Sequence, residues 1–445
     1  MGKVTLIGAG SVLWSPKILG DFYAIPDQPI DEICLMDINP EALEPIAALA
    51  ALMAKKTGRH LHITTETELE RSVRGAGYVV VSISVGGLKA MEKDLTVAEK
   101  YGIHATVGDT VGPMGLARLL RNVAVFLDMA RRIEAAAPDA WLINVSNPLT
   151  PLTRMIARET SLKTVGLCAG IINHLWILKD LLGFGDLNEV DFTVAGIDHC
   201  SWFLDLRVRG KDIYPELRGL SVGELDARAS LLHSRDEWAD LDSLTAGFTL
   251  FKALGNLPAI SDRHLGEFFP YFLGSEENLA RYNMKRTSIR HRMGWGVNAR
   301  VKLTATLKGE SELTLIKSRD IVVDVINALA GAAPVVTTIN YPNEGQIENL
   351  PHQAIVETRG EIGTDRISPI PAGPLPSQLL SIVYPHIVRQ DLVTKAGMEG
   401  SRDLFAAALV GDPTVRRLES IHDLANDLLE AHRDFLPQFF NGEAP

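Results

Sequence analysis

The sequence predicts an α/β protein: a Rossmann-like, doubly wound parallel sheet followed by a C-terminal domain of mixed α+β structure. In the first 165 residues, short apolar runs alternate with helix-like segments. The run YVVVSIS at 78–84 is β-branched and apolar on both sides, as expected for a parallel strand covered on both faces. The first run ends in Gly8-Ala9-Gly10, a turn typical of the first strand–helix connection in such sheets.

The elements of the first domain follow from this alternation. Pro40–Lys56 is rich in Ala, Leu and Met and begins with a proline suited to a first helical turn. Leu116–Ala137 is a second long helical stretch. The predicted strands are Val4–Ile7, Glu32–Asp37, Tyr78–Ser84, Trp141–Val145 and Thr164–Leu167.

After about residue 165 the pattern loosens, which predicts domains at 1–165 and 166–445. Further strands are expected at Val194–Ile197, Trp202–Val208 and Ala354–Thr358, and a proline-rich loop at Ile367–Ser377. Further helices are expected at Glu276–Arg292, Leu313–Ala330, Arg402–Ala408 and Arg416–His432. On the first of these, the charges of Arg290 and Arg292 are expected to face water.

Composition excludes several classes of function. The 445 residues are 46% hydrophobic and 22% charged, as in ordinary globular proteins. A net charge of −11 and 6% aromatic residues argue against a nucleic-acid partner. No run approaches the roughly 18 apolar residues of a membrane span. Cys34, Cys168 and Cys200 form no disulfide framework and no secretory leader is evident, so a soluble, cytoplasmic protein is expected.

The glycine turn indicates a dinucleotide site. Gly8 and Gly10, with Ser11 after them, would let the backbone approach a pyrophosphate at the next helix N-terminus. The next strand ends in Asp37, an acid suited to a ribose hydroxyl, which favours NAD over NADP. Leu13 replaces the third glycine of the usual pattern. The alternative is a glycine turn that binds nothing.

Two loops carry candidate polar groups. Asp109 lies in GDTVGPMG at 108–115, where it either serves chemistry or caps a turn or the following helix. Asn144 and Asn147 follow a strand, on the side of the sheet where ligands bind. These amides would contact a nicotinamide ribose and a sugar hydroxyl, unless they only form an Asn-Pro turn.

Two further groups have metal-binding or ionisable side chains. Cys168 and His199 are metal-ligand types, and a two-ligand site leaves room for water and substrate. A buried cysteine and a core histidine would account for them equally well. The segment ISDRHLGEFFPY at 260–271, with Asp262, Arg263 and His264, is either a substrate loop or a solvated turn before a helix.

Taken together, these segments resemble the family 4 glycoside hydrolases along nearly the whole chain. The motifs that carry the resemblance are Gly8–Gly10 with Ser11, Pro16-Lys17, Gly86-Gly87, Lys93-Asp94, Gly108–Gly115, Asn147-Pro148, Cys168, Gly196–His199, Trp202, Asp262–Tyr271, Asn349-Leu350-Pro351 and Val356-Glu357. Their common order and spacing make the resemblance specific.

The resemblance implies a fold similar to lactate and malate dehydrogenases, with NAD and Mn²⁺ or another divalent metal as cofactors. It implies Cys168 and His199 as metal ligands, Asn147 as a substrate contact and Asp109 as the general acid. The family's base is a Tyr or an Asp, and Asp262 matches the Asp version. The implied reaction oxidises C3 of the sugar, eliminates the aglycone across C1 and C2, adds water and returns the hydride. A homodimer or homotetramer is expected.

The chain departs from the family's pattern at three places, and the first two, Met91 and Ala169-Gly170-Ile171, bear on the substrate. Met91 stands where members that act on phosphorylated sugars tend to have Arg, Ala169-Gly170-Ile171 matches no known subgroup, and Asp198 replaces a usual Asn. An unphosphorylated α-glycoside is therefore expected, a uronide ahead of a neutral hexoside. Arg263 or His264 would pair with its carboxylate, unless Arg263 only bonds a backbone carbonyl or Glu267.

Two other functions compete with this interpretation. An NAD-dependent 2-hydroxy-acid dehydrogenase would use the same glycine turn, with His199 as the proton-transfer base, but it leaves Cys168 and Asp109 without a role. A non-catalytic NAD-binding regulator is the third hypothesis.

Overall fold

The computed structural model describes residues 2–26, 28–229 and 243–440. Its strands are β1 (Gly2–Ile7), β2 (Ile30–Met36), β3 (His62–Glu66), β4 (Tyr78–Val81), β5 (Trp141–Asn144), β6 (Lys163–Gly166), β7 (Val190–Ile197), β8 (Cys200–Val208), β9 (Lys211–Asp212), β10 (Val335–Pro342), β11 (Ile355–Gly363) and β12 (Arg366–Pro369).

The helices cover both faces of the sheet. They are α1 (Ser15–Ala24), α2 (Pro40–Thr57), α3 (Leu69–Val73), α4 (Gly87–Lys100), α5 (Gly112–Ala136), α6 (Leu149–Glu159), α7 (Gly170–Ile177), α8 (Lys179–Leu182), α9 (Tyr214–Gly219), α10 (Val222–Ala229), α11 (Thr245–Leu254), α12 (Asp262–Leu265), α13 (Pro270–Leu273), α14 (Glu276–Arg281), α15 (Ile289–Leu307), α16 (Val322–Leu329), α17 (Ser377–Glu399), α18 (Arg402–Val410) and α19 (Ile421–Ala431). No helix in the described part of the chain is long and apolar enough to cross a membrane.

The first six strands are parallel and lie in the order β3-β2-β1-β4-β5-β6. This is the strand order of doubly wound dinucleotide-binding sheets, in which ligands bind beyond the carboxyl ends of the strands. The predicted fold class is confirmed.

An antiparallel half continues the same sheet through β10, β11, β7 and β8. It joins the parallel half through the pairing of Asn340 with Gly166 at the end of β6. One strand further on, Glu357 pairs with Gly196 near the end of β7. The junction therefore brings the residues after β6 close to the turn between β7 and β8.

The C-terminal helices return to the first half of the chain. Helix α17 packs on α5, and α19 packs on α4. Val393 of α17 and Phe405 of α18 share one core with Val79 and Phe126. The domain division at residue 165 remains a prediction, and these helices cross it.

Two predicted helices differ from the structure. Glu276–Arg292 is split into α14 and α15, because Asn283 adopts a left-handed φ of 51° and the Ser288 side chain caps α15 by accepting from His291 N at 3.2 Å. The helix predicted at 313–330 begins only at Val322, whose N–H donates to the Asp320 carboxylate at 3.0 Å. Local capping chemistry overrides apolar periodicity in both segments.

Candidate active site

The glycine turn after β1 is built for close backbone approach. Gly8 has a φ of 87°, and a Cβ there would collide with the Ser82 carbonyl oxygen. Gly10 N–H donates to Asp37 Oδ2 at 2.9 Å, and a Cβ on Gly10 would lie 2.6 Å from Ala42 Cβ. Ser11 closes the turn, since its N–H donates to Gly8 O at 3.2 Å. The turn thus brings the Gly8–Ser11 backbone and the Asp37 carboxylate together before α1, an arrangement that fits a dinucleotide.

Asn144 has hydrogen-bond partners inside the protein. It is fully buried, its Oδ1 accepts from Ser146 N at 2.9 Å, and its Nδ2 donates to Thr153 Oγ1 at 3.0 Å. These bonds occupy its amide inside the loop. These contacts give Asn144 a structural role, and its contact with a cofactor stays a prediction.

Asn147 lies beside Cys168. Its peptide bond to Pro148 is cis, and its carbonyl oxygen accepts from Arg118 Nε at 2.9 Å. Asn147, Cys168 and Asp320 line one cavity of about 140 Å³ at the carboxyl ends of β5 and β6. The two residues predicted from separate loops therefore meet at one site.

Cys168 and His199 face each other across the junction of the two half-sheets. The Sγ of Cys168, after β6, lies 3.7 Å from Nε2 of His199, which occupies the turn between β7 and β8 with a φ of 64°. Gly170 N–H donates to the Cys168 sulfur at 3.3 Å. Burial lowers the pKa of His199 to about 4, so its imidazole is neutral and able to act as a ligand.

Thr110 determines which nitrogen of His199 carries the proton. The Thr110 hydroxyl donates to Asp109 Oδ1 at 2.9 Å and lies 2.8 Å from His199 Nδ1. Because its single proton goes to the carboxylate, its oxygen must accept from Nδ1–H. The lone pair of Nε2 is then free on the side of Cys168, which is the tautomer that a metal-binding histidine needs.

Asp109 is buried among positive charges. Burial alone would raise the pKa of Asp109, but His264, Arg118 and Arg292 hold it below its usual range. The His264 ring lies against His199 with centroids 4.0 Å apart, and burial pushes its own pKa well below the usual value. At neutral pH the persistent positive charges near Asp109 are therefore the guanidinium groups.

A cluster of Cys168, Asp198 and His199 has the composition of a cation site. Burial, and after it the charges of Asp198 and Glu357, raise the pKa of the Cys168 thiol well above its usual value. One ligand atom from each of Cys168, Asp198 and His199 lies within 4.8 Å of the others. A divalent cation would balance the two acidic groups and convert the thiol to a thiolate.

Two of the three candidate residues in the segment at 260–271 make contacts inside the protein. Both carboxylate oxygens of Asp262 accept backbone N–H bonds at 2.7 Å, from Ala246 and Gly247 in the first turn of α11. Asp262 therefore caps a helix, which offers a structural alternative, and its role as general base stays a prediction. Arg263 donates to Thr287 Oγ1 at 3.2 Å, and its substrate contact stays a prediction. His264 is the member of the segment that lies against His199.

Sequence reasoning missed Thr110, Asp198 as a possible ligand, and Arg292. Thr110 and Asp198 are chain neighbours of the predicted site residues Asp109 and His199, and this position in the sequence could have identified them. Arg292 lies on α15 and was expected to face water, but its NH2 donates to Val107 O at 3.0 Å and its Nε is buried without a partner among the described residues. Only the fold brings α15 to the Asp109 loop.

Comparisons with known proteins agree with this geometry. Residues 3–184 match the model of the family 4 glycosyl hydrolases, and residues 194–415 match the model of that family's C-terminal domain. The chain is 30% identical over 459 residues to an alpha-galacturonidase of Lachnoclostridium phytofermentans, covering 99% of this chain and 97% of the relative.

Solved structures resemble the whole fold. The crystal structure of lplD from Bacillus subtilis superposes with a TM-score of 0.87 at 29% identity, covering 96% of this chain and 100% of the other. A 6-phospho-alpha-glucosidase from gut microorganisms, solved in complex with NAD and Mn²⁺, has a TM-score of 0.84 at 19% identity, covering 98% of this chain and 99% of the other.

Proposed function

Because the chain belongs to the family 4 glycosyl hydrolases and is therefore a glycosidase, we propose that it cleaves an unphosphorylated α-linked uronide with NAD and a divalent cation. One observation carries the proposal. Cys168 Sγ and His199 Nε2 lie 3.7 Å apart beyond the carboxyl edge of a dinucleotide-binding type of sheet, and Thr110 links His199 to Asp109.

Each cofactor has residues that fit it. The cradle of Gly8 and Gly10 with Asp37 would hold NAD, and Cys168 with His199 would hold the cation, Mn²⁺ by analogy with the gut 6-phospho-alpha-glucosidase. When bound, NAD supplies a reversible hydride acceptor for C3 of the sugar, and the cation supplies a Lewis acid beside the sugar oxygens.

Proton transfer falls to Asp109. Elimination across C1 and C2 needs a base that takes the C2 proton, a role that the resemblance gives to a Tyr or an Asp, and an acid that protonates the aglycone oxygen. Asp109 is the carboxylate joined to His199 through Thr110. Its lowered pKa means that it must gain a proton in the substrate complex. A substrate carboxylate that pairs with Arg292 or Arg263 would offset their positive charge and raise the pKa of Asp109.

The preference for a uronide rests on charge. Arg118 and Arg292 lie close enough to Asp109 to lower its pKa. The positive charge of Arg263 in turn lowers the pKa values of Arg292 and His199. Such a group of guanidinium ions suits a second carboxylate in the site. Met91 is buried in α4 and offers no charge for a phosphate. The name of the Lachnoclostridium relative supports the same substrate class.

The proposal is tested by assaying aryl α-galacturonide, α-glucuronide, α-galactoside, α-glucoside and 6-phosphoglucoside with NAD, Mn²⁺ and a reductant. The highest kcat/KM is expected for a uronide, with no activity after removal of NAD or cation. Product formed in D₂O should carry deuterium at C2, because that proton is removed and replaced. Preference for the phosphorylated sugar, or full activity after exhaustive chelation, would contradict the proposal.

The dehydrogenase hypothesis makes the opposite prediction about NAD. A 2-hydroxy-acid dehydrogenase accumulates NADH in proportion to product, whereas the proposed cycle returns each hydride to the sugar. Absorbance at the NADH band, followed during turnover with uronides and with malate or lactate, separates the two. A regulator would give no turnover with either class of substrate.

A further inference from the structure

Two buried carboxylates lie near the Cys168–His199 pair, and they differ in their hydrogen-bond partners. Glu357 is satisfied, since its Oε2 accepts from Ser201 Oγ at 2.6 Å and its Oε1 accepts from Asn340 Nδ2 at 3.0 Å. Asp198 is only 1% exposed, neither of its oxygens accepts a hydrogen bond from an N–H or O–H group in the described part of the chain, and it shares a hydrogen bond with the Cys168 thiol. A buried carboxylate with so few partners is costly in its ionised form unless a cation binds it.

One carboxylate oxygen of Asp198 lies close to the ligand atoms of Cys168 and His199. Asp198 Oδ1 lies 3.7 Å from His199 Nε2, and that nitrogen lies 3.7 Å from Cys168 Sγ. With the zinc–sulfur, zinc–nitrogen and zinc–oxygen distances of about 2.3, 2.05 and 2.1 Å as a guide, tetrahedral ligands are about 3.6 Å apart for S and N and about 3.4 Å for N and O. The observed spacings are within a few tenths of an ångström of these values.

We propose that Asp198 is a third protein ligand of the divalent cation, completing a sulfur–nitrogen–oxygen set with Cys168 and His199. This rests on the proposed metal dependence of the enzyme and goes beyond the two-ligand site inferred from sequence. Three protein ligands of one cation leave one tetrahedral position, or three octahedral positions, for water and sugar oxygens.

Cobalt substitution tests the ligand set without relying on turnover. Full-length protein stripped of metal is titrated with Co²⁺, and its absorption is followed for the thiolate-to-cobalt band and the d–d bands. The variants are Asp198→Asn, Cys168→Ser and, as a matched control, Glu357→Gln, which also removes one buried carboxylate charge. Circular dichroism and NAD binding confirm that each variant is folded.

Asp198→Asn is expected to shift the d–d bands, keep the thiolate band and weaken Co²⁺ binding at least tenfold. Cys168→Ser should lose the thiolate band. Glu357→Gln should keep the d–d and thiolate bands at their positions in the unaltered protein, although the loss of its charge lowers the pKa of the Cys168 thiol. Unchanged d–d bands and a Kd within twofold for Asp198→Asn would overturn the ligand assignment alone. If the unaltered protein binds no Co²⁺ or Mn²⁺, the proposed metal dependence fails as well.

Discussion

Thr110 has the most specific role at the scale of single residues. Its one proton is donated to Asp109, so its oxygen is left to accept from His199 Nδ1. One hydroxyl thereby couples the ionised carboxylate to the orientation of a metal ligand. Such an outer hydrogen bond typically raises the basicity of the ligand histidine.

Replacing Thr110 with Val should weaken Mn²⁺ binding by about 10–100-fold, because His199 loses the acceptor that holds its tautomer. Thr110→Ser keeps the hydroxyl and should bind Mn²⁺ almost as the unaltered protein does. Calorimetric titration of metal-free protein measures both. Equal binding by the Val and Ser variants would show that Thr110 does not position His199.

Arg263 offers a second test at this scale. If it pairs with a substrate carboxylate, Arg263→Met should cost more than about 2 kcal/mol for uronides only, which is over tenfold in kcat/KM. Its bond to Thr287 Oγ1 gives the alternative, a structural role for this arginine. An equal loss of kcat/KM on neutral α-galactoside would establish that alternative.

At the scale of elements, short polar caps decide where helices lie. Asp262 satisfies two N–H groups in the first turn of α11 through contacts 15 and 16 residues apart in the chain. From the sequence alone, Asp262 could equally well be a catalytic acid or base, because a cap formed across this distance depends on the tertiary fold. The composition of the segment at 260–271 does not distinguish a substrate loop from a structural one.

Asp262→Asn should therefore lower stability more than chemistry. The amide can accept one of the two N–H bonds but not both with the same geometry, which leaves a buried donor unsatisfied at a cost of about 1–3 kcal/mol. Urea unfolding measures this loss, and kcat of the folded fraction should change little. A fall in kcat of several hundredfold at unchanged stability would support Asp262 as the base.

The pairing of α4 with α5 depends on a buried ion pair. Arg121 donates to both carboxylate oxygens of Asp94, at 2.7 and 2.6 Å, and both side chains are fully buried. Asp94→Ala leaves the guanidinium uncompensated and should cost about 3–5 kcal/mol in unfolding free energy. The exposed pair of Glu70 and Arg132 is the control, since its removal should cost at most about 1 kcal/mol.

The sequence predicted the parallel strands well, because Tyr78–Val81 and Trp141–Asn144 are continuous apolar runs that only a sheet covered on both faces accommodates. At the site, Cys168 and His199 could be singled out as metal-ligand residue types, although a buried cysteine and a core histidine would give the same sequence. The sequence did not reveal Thr110, Asp198 and Arg292, because their roles depend on particular hydrogen bonds and on contacts between distant loops. Hydrophobic periodicity predicts neither. Asn144 shows the same ambiguity, because the sequence does not distinguish a buried amide that holds a loop from one that binds a ligand.

At the scale of the whole molecule, buried acids set the dependence of stability on pH. Glu267 is 3% exposed and its Oε1 accepts from Val107 N at 2.6 Å and Gly108 N at 2.7 Å, which fixes the start of the Asp109 loop. Burial, with the negative charge of Asp109, raises the pKa of Glu267 to about 7. The folded protein therefore holds a proton that the unfolded chain has released above its usual pKa near 4.5.

This difference in bound protons gives the sign of the effect. Between about pH 4.5 and pH 7 the folded state binds more protons than the unfolded state at Glu267, so rising pH removes stability over that interval. Glu267→Gln stays neutral at every pH and its oxygen still accepts from the loop amides. Its melting temperature relative to the unaltered protein should therefore rise from pH 5 to pH 8.

Glu70→Gln is the exposed control, where the Arg132 hydrogen bond lowers the carboxyl pKa to about 2 and no such rise is expected. A Glu267→Gln difference that is flat or falls with pH would show that Glu267 is ionised in the folded protein at neutral pH.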